Sequence, residues 1–232
     1  MKWNINQDMA KDFNHPKVVE SYDEHIRKLI PGYELIHLQV NALLKTYAPE
    51  HAHILVVGCG TGHELSYLAK QFPHWAFTAI DPAPNMLEKA KALLAAEHLD
   101  KNITFIQTDT SGLKDLKQNF DVALSILVSH FIPETAKMSY FREIYHVLKD
   151  KGILLSYDLT QIENQQQCNT LQHLAQLTGL TEKQSQAMIE RLQDDFFLIS
   201  NTEMQQLLHN VGFSPIENFA QVFNYFGIFA VK

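Results

Sequence analysis

The feature that most constrains the fold of this chain is a short apolar run that ends in a glycine-rich turn. Ile54-Leu55-Val56-Val57 contains no polar side chain, and Gly58-Cys59-Gly60-Thr61-Gly62 follows it directly. A continuous apolar run bounded by glycines is typical of a β-strand that is buried on both faces of a parallel sheet. The next apolar residues recur at helical spacing and stop at Pro73. The sequence therefore predicts a strand–turn–helix unit whose turn lies at the carboxyl edge of such a sheet.

Strands and helices continue to alternate after this unit. Further apolar runs predict strands at residues 77–80, 103–106, 122–127 and 153–157. Strands that alternate with amphipathic helices form a parallel sheet with right-handed crossovers, and Gly152 is expected to close the helix before the last of them. Two tightly joined runs, 215–222 and 225–231, predict an antiparallel pair. We predict an α/β fold with a doubly wound, mostly parallel seven-stranded sheet and an antiparallel C-terminal strand pair.

Two helical segments stand outside this alternation. Residues 1–50 show two apolar stripes at helical spacing, and the Gln-rich residues 161–198 predict two or three helices inserted as a cap. Neither segment is needed to build the sheet. We therefore expect a single domain over residues 1–232 in which Met1–Pro31 and Gln161–Phe197 form a mobile lid over the carboxyl edge.

Charge and cysteine usage disfavour several classes of protein. The formal net charge is −7 and the 19 Lys and Arg residues are scattered, so a nucleic-acid partner is not expected and a small molecule is favoured. Cys59 and Cys168 have no CxxC partner, which argues against a disulfide framework or a cysteine zinc site. No apolar run is long enough to span a bilayer and the start has no apolar signal core, so we expect a cytoplasmic protein without a membrane partner. A homodimer is left open.

Two acids follow the next two predicted strands at the same edge as the glycine turn. Asp81 lies about 20 residues beyond the first glycine, where nucleoside-binding sites place an acid that accepts hydrogen bonds from both ribose hydroxyls. Alternatively, Asp81 caps the helix that begins near Pro84. Asp109 is placed to accept from an adenine amino group or to cap a loop. The glycine turn, Asp81 and Asp109 together predict a nucleoside site.

The motifs that carry a family resemblance are Ile54–Glu64, Phe77–Asp81, Asp109-Thr110, Phe120–Ser125 and Leu148–Gly152. With them the sequence resembles the class I, Rossmann-like, S-adenosylmethionine (SAM)-dependent methyltransferases. The resemblance implies SAM as the cofactor, with its methionine part on Gly58–Gly62, its ribose on Asp81, and its adenine on Asp109 and the Thr110 amide. A nicotinamide-binding Rossmann domain is the nearest alternative, but its G-x-G-x-x-G motif places the third glycine further from the second than it is here.

A second resemblance is to the carboxy-SAM synthases of the tRNA wobble-uridine pathway. It rests on Ile30–Tyr33 and Phe223–Gly227, and it implies that Tyr33 contacts SAM, where an aromatic face suits a sulfonium cation; a half-buried packing tyrosine is the alternative. The chain departs from these synthases in having Gly60 and Pro82 where they have Ser and Asn. Arg191 is only a loose counterpart of the arginine that holds their extra carboxylate.

The expected activity is in-line methyl transfer from SAM to a small-molecule acceptor, for which the protein mainly aligns the reactants and excludes water. A general base is needed only when the acceptor is protonated, and His130, after the fourth strand, is the candidate. The alternative is a loop histidine bonded to backbone. Tyr22 and His25 are candidates to close over the site. Two other functions remain open: a carboxy-SAM synthase-like enzyme, and a SAM-binding module without turnover.

The candidate cofactor-binding residues share one location, the carboxyl edge of the predicted sheet and the segments beside it. They are Tyr33, Gly58, Cys59, Gly60, Gly62, Asp81, Pro82, Met86, Asp109, Thr110 and Ser125. No metal site is expected, since no histidine pair has ligand spacing supported by a third residue. Met188, Phe196 and Phe197 in the cap offer an apolar lining, which favours a small or amphipathic acceptor.

Overall fold

A computed structural model of the chain describes residues 15–232. The helices are α1 (Pro16–Leu29), α2 (Tyr33–Tyr47), α3 (His63–Gln71), α4 (Pro84–Ala96), α5 (Glu134–Val147), α6 (Gln165–Leu177), α7 (Glu182–Asp194) and α8 (Asn201–Val211). The strands are β1 (His53–Val57), β2 (Ala76–Asp81), β3 (Ile103–Gln107), β4 (Phe120–Ile126), β5 (Leu148–Leu159), β6 (Ile216–Val222) and β7 (Tyr225–Val231). Within this described part, no helix combines the length and the apolar character needed to cross a membrane.

The strands form one seven-stranded sheet in the order β3-β2-β1-β4-β5-β7-β6. Strands β1 to β5 pair in parallel, whereas β7 runs antiparallel to both β5 and β6. The predicted fold class, including the antiparallel C-terminal pair, is confirmed. The order reverses beside β1, and this is the point at which open α/β sheets bind their ligands.

Strand β1 is buried on both faces, as its unbroken apolar sequence predicts. Ile54 and Val56 belong to one apolar cluster, and Leu55 and Val57 belong to the cluster on the opposite face. This division follows from the alternation of side chains along a strand. Because helices cover both faces, β1 is held at the centre of the sheet, and the loop that follows it has a fixed starting point.

The segments outside the alternation pack against each other. The cap consists of two helices, α6 and α7, and its Leu171 and Ala175 share an apolar cluster with Ile26 of α1. The Thr178 hydroxyl donates a hydrogen bond of 2.6 Å to the Lys28 carbonyl at the end of α1. The two parts of the predicted lid therefore lie together, although residues 1–14 of its first part lie outside the described residues.

The expectation that Gly152 closes a helix is wrong. Helix α5 ends at Val147, and β5 already begins at Leu148, which pairs with Phe120 of β4. Gly152 lies inside β5 at a tight bend, where a Cβ atom would meet the Lys149 carbonyl oxygen at 2.8 Å. Pairing with β4 begins at Leu148, four residues before Gly152, and ends the helix there. The glycine is needed for the bend within β5.

Candidate active site

The strand register brings the predicted nucleoside-binding residues to one edge of the sheet. Val57 pairs with Ile80 in β2, and Asp81 pairs with Gln107 in β3. The glycine loop after β1, the acid at the end of β2 and the turn after β3 consequently lie side by side. Together they border the carboxyl ends of three neighbouring strands, the region where sheets of this kind bind ligands and which is called the cleft below.

The glycine loop has a backbone that side chains other than glycine would strain. Gly58, Gly60 and Gly62 have φ values of +67°, +52° and +83°. At Gly62 a Cβ atom would also meet the Ala90 backbone at 2.9 Å, so this glycine lets α3 approach α4 closely. At Gly60 a Cβ atom would meet no described atom within 4 Å. The loop therefore leaves free space beside Gly60, where a ligand can approach the backbone.

Asp81 is tied to the glycine loop. Its side chain is buried, Oδ2 accepts a 2.8 Å hydrogen bond from the Gly60 N–H, and Oδ1 accepts one of 2.8 Å from the Ala83 N–H. Burial raises the pKa of Asp81, and the two backbone donors offset part of that rise. Asp81 is not the N-cap of α4, which is Ala83. Each carboxylate oxygen keeps a further lone pair, so the group can also accept from two hydroxyls of a ligand.

The turn after β3 holds Asp109 at the cleft in a local cap. Asp109 Oδ1 accepts from the Ser111 N–H at 2.8 Å and from the Ser111 hydroxyl at 2.5 Å. Asp109 is the N-cap of a short 3-10 turn, Thr110–Asp115, and Thr110 is buried beneath it. The cap uses Oδ1, which leaves Oδ2 for a ligand.

The other predicted cofactor residues differ in what they present to the cleft. Tyr33 is half-buried in the first turn of α2, Pro82 is exposed, and Met86 is buried in the first turn of α4. Cys59 is buried, and its N–H and the N–H of Gly58 both donate to the Ile80 carbonyl. Ser125 is fully buried at the end of β4 and bonds the Tyr140 hydroxyl at 2.8 Å. Its side chain is therefore occupied, and in the sheet it pairs with Val57 of β1 and Ser156 of β5.

His130 is not a loop histidine bonded only through its backbone, because its ring forms a buried pair with Asp158. It lies in the 3-10 turn Ser129–Phe131 after β4, and Asp158 lies near the end of β5. The ring Nδ1 bonds Asp158 Oδ1 in a short contact, while the His130 backbone N–H donates to Oδ2 at 3.2 Å. Burial would raise the pKa of Asp158, but His130 and the neighbouring donors more than offset burial and leave it lowered. This pair fixes the ring orientation.

Lys137 supports the turn that carries His130. It is buried on α5, and its Nζ donates a 2.5 Å hydrogen bond to the Ser129 carbonyl. Burial lowers the pKa of Lys137 to about 8, against the opposing effect of Asp158 and Glu134. Sequence reasoning identified neither Lys137 nor Asp158. A signal existed for Asp158, since an acid at the end of an apolar strand is rarely buried without a partner.

Helix α1 is fastened to the glycine loop by Asp23. One of its carboxylate oxygens accepts from the Thr61 hydroxyl at 2.5 Å, and the other lies 2.8 Å from Lys89 Nζ on α4. Tyr22, the preceding residue, lies close enough to Asp81 for that acid to raise its pKa in addition to the larger effect of burial. Tyr22 therefore lies near Asp81, and its role in closing over the site stays a prediction.

Comparison with known proteins shows which families this chain is similar to. Residues 54–152 match the family described as a methyltransferase domain. The plantazolicin methyltransferase BpumL, solved with S-adenosylhomocysteine (SAH) and a triazolic desmethylPZN analogue, superposes with a TM-score of 0.70 at 17% identity, covering 95% of this chain and 92% of that one. The fold is that of a class I methyltransferase. Magnesium protoporphyrin IX methyltransferase from Synechocystis, with bound SAH, gives a TM-score of 0.66 at 16% identity and 95% coverage of both chains.

Curated relatives of this methyltransferase-fold protein carry a different activity in their names. The carboxy-S-adenosyl-L-methionine synthase of Desulfotalea psychrophila is 26% identical over an alignment of 235 residues, gaps included, which covers 98% of this chain and 95% of that protein. The synthase of the same name from Haemophilus ducreyi is 24% identical over 221 residues, or 93% and 90%. Both resemblances predicted from the motifs, to the methyltransferases and to these synthases, are confirmed.

Proposed function

We propose that the protein is a SAM-dependent enzyme that directs methyl transfer to a small-molecule acceptor, with His130 as the general base. The observation that carries this proposal is the buried pair of His130 and Asp158 beside the cleft. A methyl transfer to a hydroxyl or another protonated group needs a base at this place. A protein that only binds the cofactor does not need a base there.

The comparisons and the cleft support SAM as the cofactor. Solved structures of the same fold contain SAH, and free space beside Gly60 meets the need for close backbone approach. In the proposed complex Asp81 holds the ribose hydroxyls, Asp109 Oδ2 and the Thr110 N–H hold the adenine, and the Gly58–Gly62 backbone meets the methionine part. Bound SAM would supply an activated methyl group on a sulfonium.

The chemistry assigned to His130 follows from its hydrogen bond. Because Nδ1 donates its proton to the Asp158 carboxylate, the lone pair is on Nε2. His130 accepts the acceptor's proton there, and Asp158 stabilises the imidazolium that results, as in other His–Asp pairs. The Phe131 and Phe196 ring centroids lie 4.0 Å and 4.7 Å from that of His130. These rings shield His130 from water and favour an acceptor with an apolar or aromatic body.

We also propose that α1 and the cap helices form the lid of a single domain. Their contacts with each other and the attachment of Asp23 to the glycine loop support closure as one unit. Such a lid shields the reaction from water and must open for exchange of ligands.

Carboxy-SAM synthesis is the second candidate, and the names of the curated relatives favour it. That chemistry places a carboxylate in a desolvated cleft and calls for a cation, for which arginine is best suited. Arg191 is the sole arginine of the cap, and its Nε lies 2.5 Å from Oδ2 of Asp195. Its charge is thus already paired, which is the reason to place methyl transfer first.

Product masses distinguish these candidates. To test methyl transfer, the protein is incubated with SAM and a panel of phenols, carboxylic acids and amines. To test carboxy-SAM synthesis, it is incubated separately with SAM and prephenate. Methyl transfer yields SAH and an acceptor heavier by one methyl group, and this product should be lost in His130→Gln but kept in His146→Gln, a control on the exposed side of α5. A SAM species heavier by one carboxyl group would instead establish the synthase, and bound SAM without any product would favour the non-catalytic module.

A further inference from the structure

Glu64 is a shielded carboxylate immediately beyond the glycine loop. It lies in the first turn of α3, and its side chain is only 15% exposed. Among the side chains that the structure describes, the one basic atom within 4.0 Å is His37 Nε2, at 3.9 Å from Oε2. That separation is too long for a hydrogen bond. The described part of the chain therefore leaves this carboxylate without the cation or donors that a shielded acid normally has.

Burial shifts both groups toward their uncharged forms. Burial raises the pKa of Glu64 to about 8, and burial lowers the pKa of His37 despite its hydrogen bond to the Tyr33 carbonyl. An ionised Glu64 would need a positive partner from outside the described residues, because an unpaired buried charge is costly.

The space around Glu64 offers hydrogen-bond acceptors and aromatic rings and holds no cation among the described residues. Tyr33, His37 and Asn41 follow one another at one-turn intervals on α2, facing Glu64 and Tyr67 on α3. The His37 ring centroid lies 4.7 Å from that of Tyr33 and 6.3 Å from that of Tyr67. Asn41 Nδ2 donates to the Tyr67 hydroxyl at 2.8 Å, while Asn41 Oδ1 is buried and accepts nothing from the described residues. Acceptors combined with aromatic faces are what an ammonium group requires.

We propose that Glu64 binds the α-ammonium group at the methionine end of the cofactor, and this rests on the proposed function. The Gly58–Gly62 loop is expected to hold that end, and Glu64 is two residues beyond it. Glu64 is also near enough to Cys59 and Tyr33 to raise the pKa of each, in addition to the larger effect of burial. The ammonium supplies the donors and the charge that this acid lacks, so that Glu64 becomes ionised in the complex.

The test compares SAH with its desamino analogue, which lacks only the ammonium group. Affinities of both are measured by titration calorimetry for the wild type, for Glu64→Gln and for Glu88→Gln, a control at an exposed acid of α4. We expect Glu64→Gln to weaken SAH binding by about 10- to 100-fold, the range for loss of a charged hydrogen bond, and to leave the desamino analogue within about twofold. Glu88→Gln should change neither affinity.

Other outcomes overturn the assignment in different ways. Equal weakening of both ligands in Glu64→Gln would give Glu64 a structural role only. Unchanged SAH affinity would show that the ammonium lies elsewhere, while the cofactor proposal would stand. If the wild type binds neither nucleoside, the proposed function itself fails, and this assignment fails with it.

Discussion

The burial of Glu64 predicts how the stability of the ligand-free protein depends on pH. Burial raises the pKa of Glu64 from 4.5 to about 8. At a pH between these two values, Glu64 has lost its proton in the unfolded chain and keeps it in the folded protein. The free energy of unfolding therefore falls as the pH rises through this window, and Glu64 costs nothing below it. Glu64→Gln removes the ionisation but keeps the shape, so the variant should be more stable than the wild type at high pH.

The size of the effect follows from the pKa. A tenfold change in proton affinity corresponds to about 1.4 kcal/mol, so the rise sets an upper limit of about 5 kcal/mol. Because part of the side chain stays in contact with water, which screens the charge, we expect a gain of about 2–3 kcal/mol for Glu64→Gln.

Urea-induced unfolding of both proteins at about pH 5 and about pH 9 measures this gain. The groups around Glu64 are Tyr33 and His37 of α2, Tyr67 of α3 and Cys59 of the loop, and they are common to both proteins, so their own titration largely cancels in the difference. The stabilisation should be small at the lower pH, which lies just inside the window, and largest at the higher one. Equal stability of the two proteins at high pH, or a less stable variant, would refute the view that Glu64 is an uncompensated charge.

Three further predictions concern the cleft and its lid. Asp81→Ala should weaken SAM binding by about 2–4 kcal/mol in calorimetry, because two hydroxyl contacts to a carboxylate are lost; a loss of thermal stability alone would leave Asp81 a purely structural role. Asp158→Asn should lower kcat by about 10²–10⁴-fold, like His130→Gln, with little change in SAM affinity; loss of binding and activity together would point to misfolding. Hydrogen exchange should show added protection in residues 15–31 and 161–197 when SAH binds, and unchanged protection with binding confirmed would exclude the lid.

The sheet could be predicted from the sequence because its signal is local. An unbroken apolar run such as Ile54–Val57, followed by glycines, requires burial on both faces, and this holds whatever packs against it. The error at Gly152 has the opposite origin. Whether Leu148 continues a helix or begins a strand depends on Phe120, which is 28 residues earlier and becomes its partner only in the folded sheet.

Some residues of the candidate site can also be located from local sequence pattern, whereas others depend on contacts between distant parts of the chain. The glycine loop, Asp81 and Asp109 follow strand ends, and strand ends can be located from the pattern alone. Asp158 and His130 are 28 residues apart, and their pairing depends on the register of β4 against β5. Glu64 resembles any acid in the first turn of a helix, where such residues are common. Only the packing of α2 against α3 shows that it is shielded.

The bond pattern of Asp23 has a consequence for how ligands enter and leave. Helix α1 is held at the glycine loop by a carboxylate that serves Thr61 and Lys89 at once, and both Asp23 and Lys89 are partly exposed. Lys89 Nζ also donates to the Val19 carbonyl of α1 at 2.7 Å, so this lysine holds α1 through its backbone as well as through Asp23. Attraction between partly exposed charges weakens as ionic strength rises. If α1 is the proposed lid, raising the ionic strength should weaken its attachment to α4 without changing the groups that bind the ligand.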